Sequence, residues 1–367
     1  MLTWLKIDAE AIKYNAKQFK KLIGPKVLLM PVIKANAYGH GFLKVAKILQ
    51  DIKEVDRICV VNLDEAVELI KNKLTNKPII ILSFFDNQDS EKLNLATKNN
   101  IIFPLYDLKN AQILNRAGER LNKKIRVHLK IDTGASRLGI SPNDALSFVK
   151  ALQKFKHLEP EGLWSHFASS EDDPEYTKTQ HSILKSVDDT LQKNGFNIPV
   201  KHIACSSATL NTKFTHENAV RLGISLYGLY PDKKQTIKLK PALSWFTTVI
   251  QTKNLPKGTK VGYGGTYITK KPTQVAVLAV GYWDGYDRRL SNNGHVLIKN
   301  KFCKIIGRVC MNICMVDITG LKVKAGDRVT LVGQNGKNKI SIDDIARWCQ
   351  TINYEIVDRI NPNLPRL

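Results

Sequence analysis

The sequence predicts an α/β chain: an N-terminal (β/α)8 barrel of the TIM type followed by a mostly-β C-terminal domain. Three observations lead there. Between residues 26 and 224, short apolar runs alternate with amphipathic stretches, the pattern of repeated βα units on a parallel sheet. The runs number eight, the count for a closed barrel. After Pro231 the rhythm changes to strand after strand, broken by Lys257-Gly258, Gly264-Gly265, Asn292-Asn293-Gly294, Ala325-Gly326-Asp327 and Gln334-Asn335-Gly336, with one late helix.

In order, the predicted barrel strands are Val27 to Ile33, Arg57 to Val61, Pro78 to Leu82, Ile101 to Phe103, Ile125 to Ile131, Gly162 to His166, Val200 to Ala204 and Ala219 to Arg221. A helix over about Ala9 to Leu22 precedes the first and ends at Gly24. Asp107 opens a helix closed by Gly118, and Glu175 opens a long one closed by Gly195, glycine supplying the left-handed stop. Ser341 and Asp344 form a capping pair for the late helix, which runs to about Gln350. The 367 residues suffice for two domains with separate cores, 1–235 and 236–367.

Composition narrows the function. The net charge of +23 raises nucleic-acid binding as a reading, but the basic residues are scattered, as at Lys20-Lys21, Lys123-Lys124 and Lys233-Lys234. No Lys/Arg stripe interleaves with aromatics, so a solvated surface that attracts anionic ligands is expected instead. The six cysteines show neither paired CxxC spacing nor scaffold density, which predicts reduced thiols and no metal site. No leader pattern opens the sequence and no apolar run reaches the length of a membrane helix, so a cytoplasmic protein is expected.

A barrel of this kind places its active site at the C-terminal ends of the strands, with phosphate often held after strands seven and eight. Strand one there ends in Lys34, strand five near Lys130, Asp132 and Arg137, and strand six at His166. Strand seven ends at Ser206 and Ser207, strand eight at Arg221, Gly223 and Ile224. A lysine at the end of an apolar strand is placed to lose its proton by desolvation, and a neutral amine forms a Schiff base with an aldehyde cofactor. The Gly223 and Ile224 amides with the Ser206 hydroxyl make a cradle for a phosphate monoester. Lysine and cradle together point to pyridoxal phosphate.

The segment Val32 to Gly41 resembles the lysine signature of alanine racemases. The likeness continues in family order through His128 to Gly139, Gly162 to His166, His202 to Leu210, Arg221 to Gly228, Val261 to Tyr267, Gly281 to Leu290, Gly307 to Met315 and Thr351 to Glu355. The resemblance implies a homodimeric isomerase that interconverts L- and D-alanine and supplies D-alanine for peptidoglycan. By the same resemblance, Lys34 is the Schiff-base lysine and the base acting on D-alanine, and Tyr263 is the opposite base. Tyr38, Ser206, Gly223, Ile224 and Tyr354 would hold the phosphate, His166 would lie against the cofactor ring, and Arg221 would face the pyridine nitrogen. Arg137 and the Met311 main-chain N–H would hold the substrate carboxylate, Lys130 would be the carbamylated lysine, and Asp173, Tyr282, Arg288 and Arg308 would line the approach to the site. Tyr263 and Met311 would serve the neighbouring subunit.

Four positions depart from the family pattern: Cys205 stands in place of asparagine, Ala135 of methionine, Leu222 of proline, and Asn312 where Cys-Met-Asp is expected. Asn312 removes a negative charge beside Met311, which bears on the choice between alanine and larger amino acids. A broad-specificity or serine racemase on the same scaffold, and a non-catalytic pyridoxal phosphate-binding protein, are the alternatives. The second lacks a β-domain in its family, whereas this chain has one.

Overall fold

The structure, a computed structural model, describes residues 1–232 and 234–367; Lys233 lies outside the described residues. Contacts divide the chain into two units. Residues 10–37 and 42–240 form one, and residues 1–9, 38–41 and 241–367 form the other.

After β1 (Trp4–Ile7), the barrel strands are β2 (Leu28–Pro31), β3 (Ile58–Val60), β4 (Ile79–Ile81), β5 (Phe103–Leu105), β6 (Ile125–Lys130), β7 (Leu158–Trp164), β8 (Val200–His202) and β9 (Ala219–Leu222). Each predicted run contains or overlaps one of them. Their short β-branched cores, such as Ile79-Ile80-Ile81, are buried on both faces, as a parallel sheet under helices requires. The parallel order β2-β9-β8-β7-β6-β5 is continuous, β3 pairs with β4, and single bridges Val32–Cys59 and Ile80–Ile102 complete the ring.

The connecting helices start where side chains satisfy their first amides. Asn62, Asp89, Asp107 and Asp173 accept from the amides of Glu65, Lys92, Asn110 and Tyr176 at 2.7–3.0 Å. The long helix therefore opens at Pro174, one residue before Glu175, and ends at Lys193 with Gly195 at φ +86°. Gly118 is no stop: the helix Leu108–Arg120 continues through it. A Cβ there would lie 2.8 Å from both His157 Cβ and the Lys123 carbonyl oxygen, so the glycine serves close packing.

The second unit is built on a long strand, β10 (Leu243–Leu255). It continues through β11 (Lys260–Val261), β12 (Tyr267–Ile268), β13 (Thr273–Leu278), β14 (His295–Ile298), β15 (Lys301–Lys304), β16 (Cys314–Asp317), β17 (Arg328–Asn335) and β18 (Asn338–Ile340). The antiparallel order is β15-β14-β17-β10-β13-β16, with β1 added to β10 and β18 to β17. The division at residue 235 would leave residues 1–9 with the barrel. Instead β1 pairs with β10, and Leu5 N and Ile7 N donate to the carbonyls of Pro365 and Leu367 at 2.8 and 2.9 Å. Two late helices, not one, follow: Ile342–Cys349 behind the Ser341/Asp344 capping box, and Asn353–Asp358.

Candidate active site

Lys34, half-buried, opens a turn of the wrong hand. Ala35, Asn36, Ala37 and Tyr38 have φ of 53, 54, 53 and 52°, a left-handed run without glycine. Such backbone costs about 1–2 kcal/mol per residue and persists only when its surroundings over-determine it. Here Ala37 N donates to Ile33 O, and Phe42 N donates to Asn36 Oδ1, both at 2.8 Å. The Glu65 carboxylate accepts from Ala35 N at 3.0 Å and Val61 N at 2.7 Å, which ties the turn to the end of β3. Burial pushes the Glu65 carboxyl up, against these two amide bonds and the Lys34 charge.

Positive charge converges on the same barrel mouth. Burial lowers the pKa of His166, and the charges of Arg221, Arg137, Lys34 and Lys130 lower it further, so its imidazole is neutral. Burial and the Arg221 and Arg137 charges bring Lys130 down to about 8. Its ammonium lies 4.5 Å from the Trp164 ring centre, and the Arg221 guanidinium carbon 4.9 Å from the same ring. Arg137 sits exposed on the loop after β6, a loop shaped by Asp132 accepting from the Gly134 and Ser136 amides at 3.0 Å.

Arg221 is 3% exposed. Its Nη1 donates to His202 Nδ1 (2.5 Å) and His202 O (3.2 Å), and its Nη2 to Ser165 O (2.8 Å), Ile203 O (3.0 Å) and His166 Nδ1 (3.2 Å). Burial lowers its pKa to about 10, and it is charged at neutral pH.

Ser206, Gly223 and Ile224 lie together in this unit. Ser206 Oγ accepts from Gly223 N at 3.0 Å and Ser225 N at 3.4 Å. Gly223 thus acts through Ser206: a hydroxyl that accepts two amides has its own proton to give outward. Ser225 Oγ, in the same turn, is buried without a hydrogen-bond partner among the described residues. An orphaned hydroxyl, an outward-donating serine and a mouth rich in cations fit a phosphate monoester carried by an aldehyde cofactor.

The second unit holds the remaining predicted residues. Tyr38, 7% exposed, and Tyr354 have ring centres 6.2 Å apart. Tyr263 is 73% exposed on a tight turn, Gly262–Gly265, whose three glycines all have positive φ. Gly264 packs on the Arg308 guanidinium, 3.1 Å from a Cβ placed there. Met311 is exposed, its carbonyl accepting at 2.9 Å from the amide of Trp283, the residue after exposed Tyr282; Arg288 is exposed as well. Asp173, in the barrel unit, is spent as a helix cap.

Sequence reasoning assigned no role to His128, Glu161, His202 or Trp164. The first three form a buried polar line behind Arg221. His128 and His202 stood at the edges of recognised motifs, so a question about where the Arg221 donors go could have found them.

Residues 7–231 match the alanine racemase N-terminal domain family and residues 242–367 the alanine racemase C-terminal domain family. The alanine racemase of Methanococcus maripaludis is 39% identical over 99% of this chain and 98% of its own. The crystal structure of the Bacillus anthracis alanine racemase with bound L-Ala-P superposes with a TM-score of 0.91 at 33% identity, covering 100% of this chain and 94% of that one. The Bartonella henselae enzyme with covalently bound pyridoxal phosphate gives 0.87 at 26% identity, covering 100% and 99%. With both domain families matched in order and full-length relatives near 40% identity, the chain belongs to the alanine racemase family, pyridoxal phosphate-dependent isomerases that interconvert L- and D-alanine.

Proposed function

We propose that alanine is racemised here by two bases of this sequence, the Lys34 amine on one face of the substrate α-carbon and the Tyr263 phenol oxygen on the other. Inversion needs a proton taken from one side and returned on the other, so two groups on opposite faces satisfy the chemistry. Pyridoxal phosphate, when bound, withdraws electrons from the α-carbon and makes its proton removable. Lys34 would attach it, Ser206, Ile224, Tyr38 and Tyr354 would hold its phosphate with Gly223 acting through Ser206, and His166 would face its ring.

Arg221 would donate to the ring nitrogen. A guanidinium gives up no proton, so Arg221 would leave that nitrogen unprotonated and would weaken the electron withdrawal the cofactor supplies. Arg137 and the Met311 amide would bind the substrate carboxylate. Lys130 would take up CO2 as a carbamate, its amine nitrogen attacking the carbon with release of one proton, and the new negative charge would orient Arg137. Tyr263 and Met311 are read as serving the active site of a second copy, which makes the functional form a homodimer.

The observation that carries this reading is the convergence of Lys34, Lys130, Arg137 and Arg221 on His166, beside the Ser206 turn. The test is incubation of the cofactor-loaded protein with L-alanine in deuterated water, with Lys34→Ala and Tyr263→Phe variants beside it. D-alanine carrying α-deuterium, lost in both variants, supports two bases. Deuterium without inversion removes Tyr263 from its role. Neither product, with cofactor bound, ends the alanine assignment.

A further inference from the structure

The barrel lumen is usually filled by layers of branched aliphatic side chains. Here a single file of polar groups crosses it. His202 Nε2 lies 2.8 Å from His128 Nδ1, and His128 Nε2 lies 3.0 Å from Glu161 Oε2. Glu161 is bound by Arg57 through both oxygens, at 2.7 and 3.0 Å, and by Arg126 at 3.3 Å. Both imidazoles have no exposed surface.

The local sequence is arranged for this file. β6 and β7 shift register between Val127, opposite Pro160, and His128, opposite Gly162. Glu161 is therefore the extra residue of a bulge, the device that re-aims a side chain in a sheet. The next residue, Gly162, makes room for the His128 ring.

Hydrogen-bond logic permits one proton order only. Arg221 Nη1 can only donate, so His202 Nδ1 accepts and its Nε2 carries the hydrogen. That hydrogen goes to His128 Nδ1, which leaves His128 Nε2–H to donate to Glu161. Arg57 Nη1 lies 3.5 Å from His128 Nε2, too far to compete with the carboxylate. Burial keeps both imidazoles neutral. Burial alone would raise the Glu161 carboxyl, but bonds from His128 and Arg57 hold it well below the usual carboxylate range. The file thus ends on a fixed anion, and each donor points away from Arg221.

We propose that Glu161 is a positioning residue for Arg221: as the fixed acceptor at the far end of the file it stabilises, through His128 and His202, the one proton order in which Arg221 meets an acceptor, so that the guanidinium is held in one orientation. This rests on the reading that Arg221 faces the cofactor nitrogen. A glutamine at 161 cannot serve. Its carbonyl turned to His128 sets its amide against Arg57 and Arg126, and the reverse turns a donor on His128 Nε2–H.

The test uses the holoenzyme, with 15N-labelled histidine observed by solid-state NMR alongside steady-state kinetics and cofactor absorbance. Wild type is expected to show His128 and His202 both protonated on Nε2. Glu161→Gln and His128→Leu are expected to lower kcat roughly tenfold, with little change in KM, and to shift the cofactor absorption band. Glu161→Gln should also leave mixed ring protonation. His128→Gln can accept from His202 and donate to Glu161, so it should restore most of kcat. Glu159→Gln, exposed on the same strand, should change nothing.

The idea is overturned if either ring carries its hydrogen on Nδ1 in wild type. It is equally overturned if Glu161→Gln keeps wild-type kcat and absorbance, or if His128→Gln fares no better than His128→Leu. Should the wild type racemise nothing, the functional reading falls, while the ring protonation and absorbance still judge the file.

Discussion

Gly162 lies directly against the His128 imidazole: a Cβ on Gly162 would stand 2.3 Å from the ring Cγ and 2.4 Å from Nδ1. Gly162→Ala therefore overpacks a closed lumen, and the ring, held at both nitrogens, has no second seat. A loss of about 1–3 kcal/mol is expected in urea unfolding, seen as a lower midpoint with unchanged slope. A midpoint equal to wild type would mean that the lumen yields.

Lys130 makes a pH prediction. Its folded pKa of about 8 lies below the ordinary 10.5, so the folded state binds this proton less tightly than the unfolded one. The resulting penalty on folding is full below about 8 and fades as pH rises toward the ordinary value. The same neutral amine is what CO2 requires. At fixed dissolved 13CO2, a 13C carbamate signal is expected to grow as pH rises through about 8 and to be absent in Lys130→Met. A signal that does not grow, or that survives the substitution, contradicts the assignment.

The left-handed turn after Lys34 carries strain that glycine would relieve. Ala35→Gly removes about 1–2 kcal/mol of clash and restores about 0.5–1 kcal/mol of unfolded-chain entropy, for a net gain near 0.5–1 kcal/mol. Asn36→Ala, which deprives Phe42 N of its acceptor, is expected to cost about 1 kcal/mol. Thermal unfolding of the two variants should move in opposite directions.

Asp173 caps the helix Pro174–Lys193, so Asp173→Ala is expected to lose about 1 kcal/mol. Asp173→Asn keeps a capping oxygen and removes the charge. If the residue serves the helix alone, the asparagine variant retains both melting temperature and kcat/KM. A fall in kcat/KM at unchanged stability would return Asp173 to the approach to the site.

The eight barrel strands were legible because the core of each is largely buried, and an apolar run of three to seven residues survives in sequence as a local mark. Lys34, Lys130, His166, Ser206 and Arg221 were legible for a related reason: the end of such a run is by itself a position at the barrel mouth. What stayed hidden depends on partners distant in sequence. Trp4–Ile7 finds its strand partner at Leu243–Phe246, and nothing near residue 4 announces it. The His128–His202 contact spans 74 residues. The bulge at Glu161 is a register difference between two strands, a property of the pair and invisible in either one. The left-handed turn in Ala35 to Tyr38 has no glycine to betray it, since its conformation is imposed by Glu65, Asn36 and Phe42.

The pairing of β1 with β10 also bears on how the molecule is made. In sequence, the barrel is an insertion of more than two hundred residues inside the β unit, so Trp4–Ile7 is synthesised long before its strand partner Leu243–Phe246. Throughout synthesis of the barrel, Trp4–Ile7 is an unpaired strand edge, the kind of surface that captures other chains. A charge on such an edge opposes pairing with other chains, and Lys6, exposed in the finished sheet, puts one there.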